Sequence, residues 1–175
     1  MKNIEKISEV KSIYEGKVNN IITVEKLCQK INLTAGNFLL KGDITFLKFI
    51  YDNKTLLIAD RNIKNNISWD QLNEYNLVFG KIIEIDNIKY KIRLLTASEW
   101  NKLIVKYTPL DQDSHWENIQ SWCQNIYSVD SLKINSFNFN YRILCESLNI
   151  NFTFTCIIPS YFDNCCGWRS CLEML

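Results

Sequence analysis

Along residues 88–95 apolar and polar positions alternate. In "IKYKIRLL" Ile88, Tyr90, Ile92 and Leu94 fall on one side and Lys89, Lys91 and Arg93 on the other. That is the period of a strand covered on one face, with the basic side solvated. "KIIEI" precedes it across Asp86-Asn87, so the pair reads as a hairpin. A second hairpin is predicted upstream, where "ITFLKFIY" and "TLLIA" flank the turn residues "DNK". "YRILCESL", "NFTFTCIIP" and the terminal "GWRSCLEML" also read as strands.

Helical spacing appears elsewhere. Residues 1–35 read as helical, with Val24, Leu27, Cys28 and Ile31 on one face. Three capping boxes start further helices: Ser68 with Gln71, Thr96 with Glu99 before "WNKLIV", and Ser114 with Glu117 before "NIQSWCQNIY". In the last of these Trp116, Ile119, Cys123 and Ile126 share a face. Residues 127–140 show no period and read as a long loop, as does 159–166. The order of elements predicts an α+β fold.

Composition narrows the classes. The chain has 175 residues, 47% hydrophobic and 22% charged, which is enough for a real core in one domain. A net charge of +1 gives no field for nucleic acid. The faint helix-turn-helix near "ITVEKLCQKINL" lacks a basic recognition helix after Gly36. Early charges in "MKNIEKISEV" argue against a signal peptide, and no stretch reaches the roughly 18 apolar residues of a membrane helix. A cytoplasmic site is expected, with the seven cysteines as reduced thiols.

The series "FLKFIYDNKTLLIADRNIKNNISWDQLN", "LVFGKIIEIDNIKYKIRLLTASEWNKLI", "HWENIQSWCQ" and the final "GWRSCLE" resembles phage and prophage virion-associated domains of low-GC Gram-positive bacteria. These carry a "KxYKVRLLTGxxWNxL" core and end in "GFRPVLE" or "GWRPVLE". That ending is similar to the last strand of the formylglycine-generating-enzyme branch of the C-type lectin-like fold. The resemblance implies a C-type-lectin-like domain over residues 37–175, with a mixed or antiparallel sheet and two or three helices, behind a helical N-terminal extension over 1–36. It implies that the terminal strand lies inside the sheet, with Trp168 in the core and Arg169 holding a carboxylate or backbone carbonyls. Ser170 stands where the family pattern has proline.

Catalytic chemistry finds little support. Formylglycine-generating enzymes bind copper with two cysteines, and Cys166 and Cys171 have a similar interval. On one extended strand, however, that odd offset points them to opposite faces. No C-x₂-C pair supports zinc, and His115 is the only histidine available to a Cys–His pair. There is no phosphate loop or dinucleotide fingerprint. No cofactor or metal is expected, and the chain is read as a non-enzyme. The expected function is a phage-derived recognition module. It would bind a host or virion protein, or a glycan, through Tyr127, Phe137, Asn140, Tyr161, Phe162 and Asp163 on loops 127–140 and 159–166. The alternative is a cytoplasmic, anti-CRISPR-like inhibitor of a host defence protein. Neither reading expects membrane or nucleic acid as partner.

Overall fold

A computed structural model of the chain describes residues 11–107, 119–127, 141–148 and 151–175. Among these the architecture is α+β, with two six-stranded sheets and a few short helices. The first sheet contains β1 (Ser12–Val18), β3 (Phe46–Tyr51), β4 (Lys54–Ala59), β6 (Lys81–Ile85), β7 (Ile88–Arg93) and β12 (Cys171–Met174). Their order is β1-β3-β4-β12-β7-β6 and every pairing is antiparallel. The second sheet contains β2 (Asn37–Phe38), β5 (Lys64–Asn65), β8 (Gln120–Tyr127), β9 (Tyr141–Leu148), β10 (Asn151–Ile157) and β11 (Cys166–Trp168). Its order is β10-β9-β8-β11-β5-β2, and β8 and β11 run parallel.

Both predicted hairpins form, and their turns explain the residues used. Asp52-Asn53 and Asp86-Asn87 all have positive φ, between 50° and 64°. Two-residue hairpin turns with both centres left-handed match the twist of the strands, and Asn and Asp tolerate that region. The capping boxes at Ser68 and Thr96 also form, each with both reciprocal hydrogen bonds. Ser68 starts α2 (Trp69–Glu74). Thr96 starts the short α3 (Ala97–Glu99), which continues as a π-helical stretch over Trp100–Val105.

The apolar run "TLLIA" shows how the core is divided. Leu57 and Ala59 of β4 point into one cluster with α1 (Val24–Ile31) and α2. Leu56 and Ile58 point into another with Trp100, Leu103 and Ile104 of the π-helical stretch. The middle of the first sheet is therefore buried on both faces, which is why β4 is continuously apolar. The final strand shares this environment. β12 lies between β4 and β7, with Leu172 in the first cluster and Cys171 in the second.

Four expectations are corrected. Residues 12–18 of the expected helical extension form β1, paired with β3 at the sheet edge. Tyr14 packs on the second cluster, and the alternating partial burial of this strand carries too few apolar residues to declare its period. "QSWCQNIY" is β8 rather than a helix, held between β9 and β11. Trp122 and Cys123 face different clusters, so tertiary pairing overrides the helical spacing; Ser114 and Glu117 lie outside the described residues. "GWRSCLEML" is not one strand but two, β11 and β12, in different sheets. Finally, Arg93 is buried, because Leu94–Val105 folds back over the face that was expected to be wet.

Candidate functional site

The connection from β10 to β11 runs over residues 158–165 and is pinned rather than loose. Asn66 N–H donates to the Asp163 carbonyl at 3.1 Å, and Asp70 N–H, at the start of α2, donates to the Pro159 carbonyl at 3.1 Å. Cys166 N–H closes the turn onto the Asp163 carbonyl at 2.9 Å. Asp163 organises the segment from inside: its carboxylate accepts from Asn164 N–H and from the Tyr161 hydroxyl. That contact, with the Asp163 charge, raises the Tyr161 hydroxyl pKa above its usual value. Tyr161 packs against the first core cluster. Phe162 is left outside, with 58% of its surface exposed.

Around this segment lie groups from distant parts of the chain. Trp69, next to Asp70, is buried, and its indole N–H donates to the Cys123 carbonyl at 3.1 Å. Phe79 sits edge-on to its ring at 6.0 Å and is itself 55% exposed. The Arg142 guanidinium lies 4.0 Å over the same ring. Burial lowers the Arg142 pKa, against the pull of Asp70. On the other side β5 pairs with β2, and the Lys64 amine sits 4.2 Å over the exposed ring of Phe38. Burial likewise lowers the Lys64 pKa, and Cys28 and Tyr75 oppose it. An ammonium over an aromatic face keeps an attractive partner where water is excluded.

Of the predicted site residues, Tyr161, Phe162 and Asp163 therefore share one segment, with different roles: core contact, exposed aromatic and internal brace. Tyr127 is not a loop residue but the last residue of β8, opposite Tyr141. Its neighbour Ile126 is opposite Arg142, which in turn is opposite Ile157. This register places the end of β8 at the sheet end where the 158–165 segment departs. Phe137, Asn140 and His115 lie outside the described residues. Sequence reasoning missed Phe38, Phe79 and Arg142. They belong to a two-residue strand, a turn and a strand end, and no local period marks them.

Other candidate chemistry is dispersed. Cys166 and Cys171 fall in separate core clusters, and burial pushes each thiol up to about 12. Among the described residues no group of three or more His, Cys, Asp or Glu side chains could hold a metal ion. No described helix is long and apolar enough to cross a membrane. Arg169 is fully buried with its guanidinium 5.3 Å over Trp100, and burial lowers its pKa to about 9.

Neither a family model, nor a curated protein, nor a solved structure matches the chain.

Proposed function

We propose that the chain is a non-enzymatic recognition module of phage origin, built on a C-type-lectin-like scaffold, that binds a protein or glycan through the 158–165 segment. The observation that carries this reading is Phe162. A large aromatic is held in solvent on a segment tied down at Asn66, Asp70 and Cys166, while exposed Phe38 lies on the strand paired with β5 and exposed Phe79 sits edge-on to Trp69, next to Asp70. A pinned exposed aromatic loses little conformational entropy when it is covered, which is what an interface anchor needs. The lectin-like scaffold is supported by the last strand lying inside a sheet and by a rigid framework carrying an irregular segment. Lys89, on the outer side of β7, has a sufficient role as a solvated charge.

The test is a binding comparison of three proteins: wild type, Phe162→Ser, and Lys89→Glu with Lys91→Glu. Host lysate proteins and cell-wall polysaccharide serve as the two ligand pools. Phe162→Ser should keep its melting temperature and lose about tenfold or more in affinity, roughly 1.4 kcal/mol. The charge-reversed protein should bind as wild type. The opposite pattern would mean an electrostatic partner and a different surface. Retention of a host defence protein would assign the chain to the cytoplasmic inhibitor class, and retention of polysaccharide to the virion class.

A further inference from the structure

Cys123 of β8 and Cys145 of β9 are both fully buried, both free thiols, and their Sγ atoms are 2.9 Å apart. The strand register explains this approach. Trp122 is opposite Leu144, but the next pair in register is Ile126 with Arg142. Residues 123–125 of β8 thus stand against residue 143 alone. This bulge turns Cys123 towards Cys145, and both side chains enter the second core cluster. Bulges re-aim side chains, and here the bulged residue is a cysteine aimed at another cysteine.

We propose that Cys123 and Cys145 form a dithiol redox site, which a small peroxide converts to a disulfide joining β8 to β9. A disulfide needs sulfurs at ~2.05 Å, so closure requires less than ~1 Å of movement. In the first step one thiolate attacks a peroxide oxygen. The S–O bond forms, the O–O bond breaks, and the leaving hydroxide takes a proton to become water. In the second step the other sulfur attacks the sulfenic sulfur. The S–S bond forms, the S–O bond breaks, and the departing hydroxide leaves with that thiol's proton as a second water. Two thiols lose two electrons and peroxide gains them.

The surroundings select this product. Leu47, Leu56, Ile143 and Leu103 share the cluster, so a bulky mixed disulfide has no room and the partner thiol is the nearest nucleophile. Burial also raises the Cys123 pKa, so thiolate is scarce and the site should react slowly. Cys156 is half-buried against the same cluster, with burial raising its pKa too, and is the nearest rival. The bond would also close the chain between residues 123 and 145, restricting the unfolded state. This inference does not depend on the recognition reading.

The test treats the full chain with graded hydrogen peroxide, unfolds it, blocks remaining thiols and maps the peptides by mass spectrometry. Two of the seven thiols should be lost. The peptide of Cys123 should be joined to that of Cys145, and the bond should be reversed by dithiothreitol. The melting temperature should rise by about 7–14 °C on oxidation, the scale expected for a loop of this length in a chain of this size. Cys123→Ser or Cys145→Ser should abolish both the link and the rise. The inference fails if the link maps to Cys145–Cys156 or Cys165–Cys166. It also fails if, after exposure to peroxide long enough for a slow buried site to react, Cys123 and Cys145 both stay alkylatable in the unfolded chain. Mapping the unmutated protein decides the matter even if a serine variant does not fold.

Discussion

Replacing Arg93 with methionine would strand two carboxylates in the core. The Arg93 guanidinium donates to both oxygens of Glu99, at 2.7 and 2.8 Å, to Glu173 at 2.8 Å and to the Leu94 carbonyl at 3.0 Å. Arg93, Glu99 and Glu173 side chains are each 10% exposed or less. Methionine fills much of the volume and returns none of the charge. Glu173 keeps Lys54 at 2.7 Å, but Glu99 keeps only Thr96, through its backbone N–H and its side chain. Removing one partner of a buried ion pair costs about 3–5 kcal/mol, a large share of the roughly 5–15 kcal/mol that holds a domain folded. Urea unfolding followed by tryptophan fluorescence measures this directly, since Trp100 and Trp168 are buried.

The pH dependence gives a sharper check of the same cause. Burial alone would raise the Glu99 pKa, but hydrogen bonds and charge from Arg93 hold it below its usual value, and Glu173 is likewise lowered by Lys54 and Arg93. The unfolded chain binds protons first as pH falls through about 4.3. Wild-type stability from these groups is present above that pH and is lost as pH falls through the folded-state values. In Arg93→Met burial acts on Glu99 without the arginine, so its folded pKa rises above the unfolded one. The variant should therefore gain stability as pH falls from 7 to 4, while the wild-type contribution holds over most of that range and is lost only as pH falls below about 4.3. Adding Glu99→Gln should recover much of the loss at pH 7 and flatten the response. A loss under about 1 kcal/mol at pH 7, or a loss equal at pH 7 and pH 4, would refute the stranded-charge reasoning.

Three further outcomes are expected. Gly167→Ala should cost about 1–3 kcal/mol in denaturant titration, because the new Cβ would lie 2.5 Å from Asn62 Cγ and 2.7 Å from Ile119 Cγ2. Neither neighbour can retreat easily, since the Asn62 amide is bound to the Ile119 carbonyl and to the Ser121 hydroxyl; an unchanged midpoint would show that this close approach is relaxed. Trp168→Ala should cost about 3–5 kcal/mol, and deleting residues 167–175 should leave no cooperative thermal transition, because β12 sits between β4 and β7. A truncated chain that still melts cooperatively would count against it. Elemental analysis of the purified protein should find no stoichiometric zinc or copper, and one metal per chain that is lost with Cys166→Ser or Cys171→Ser would overturn that expectation.

Local chemistry was legible in the sequence wherever neighbours in the chain are partners in space. The Asp-Asn turns, the flanking strands and the capping boxes at Ser68 and Thr96 all depend on contacts a few residues apart. The apolar stretch "GWRSCL" was legible for a related reason, since an apolar run favours burial, and Trp168 and Leu172 are buried. The tertiary structure decided what depends on which face another element covers. Arg93 obeys the alternation of β7, yet its side is dry because the π-helical stretch folds over it and Glu99 and Glu173 arrive from elsewhere. "QSWCQNIY" carries a helical spacing, yet β9 and β11 supply backbone partners on both sides, so it extends. The same holds for the candidate site. Phe162 and Asp163 could be read from one irregular stretch. Phe38, Phe79 and Arg142 could not, because Phe38 meets Lys64, and Phe79 and Arg142 meet Trp69, only through long-range contacts that no period within the chain encodes.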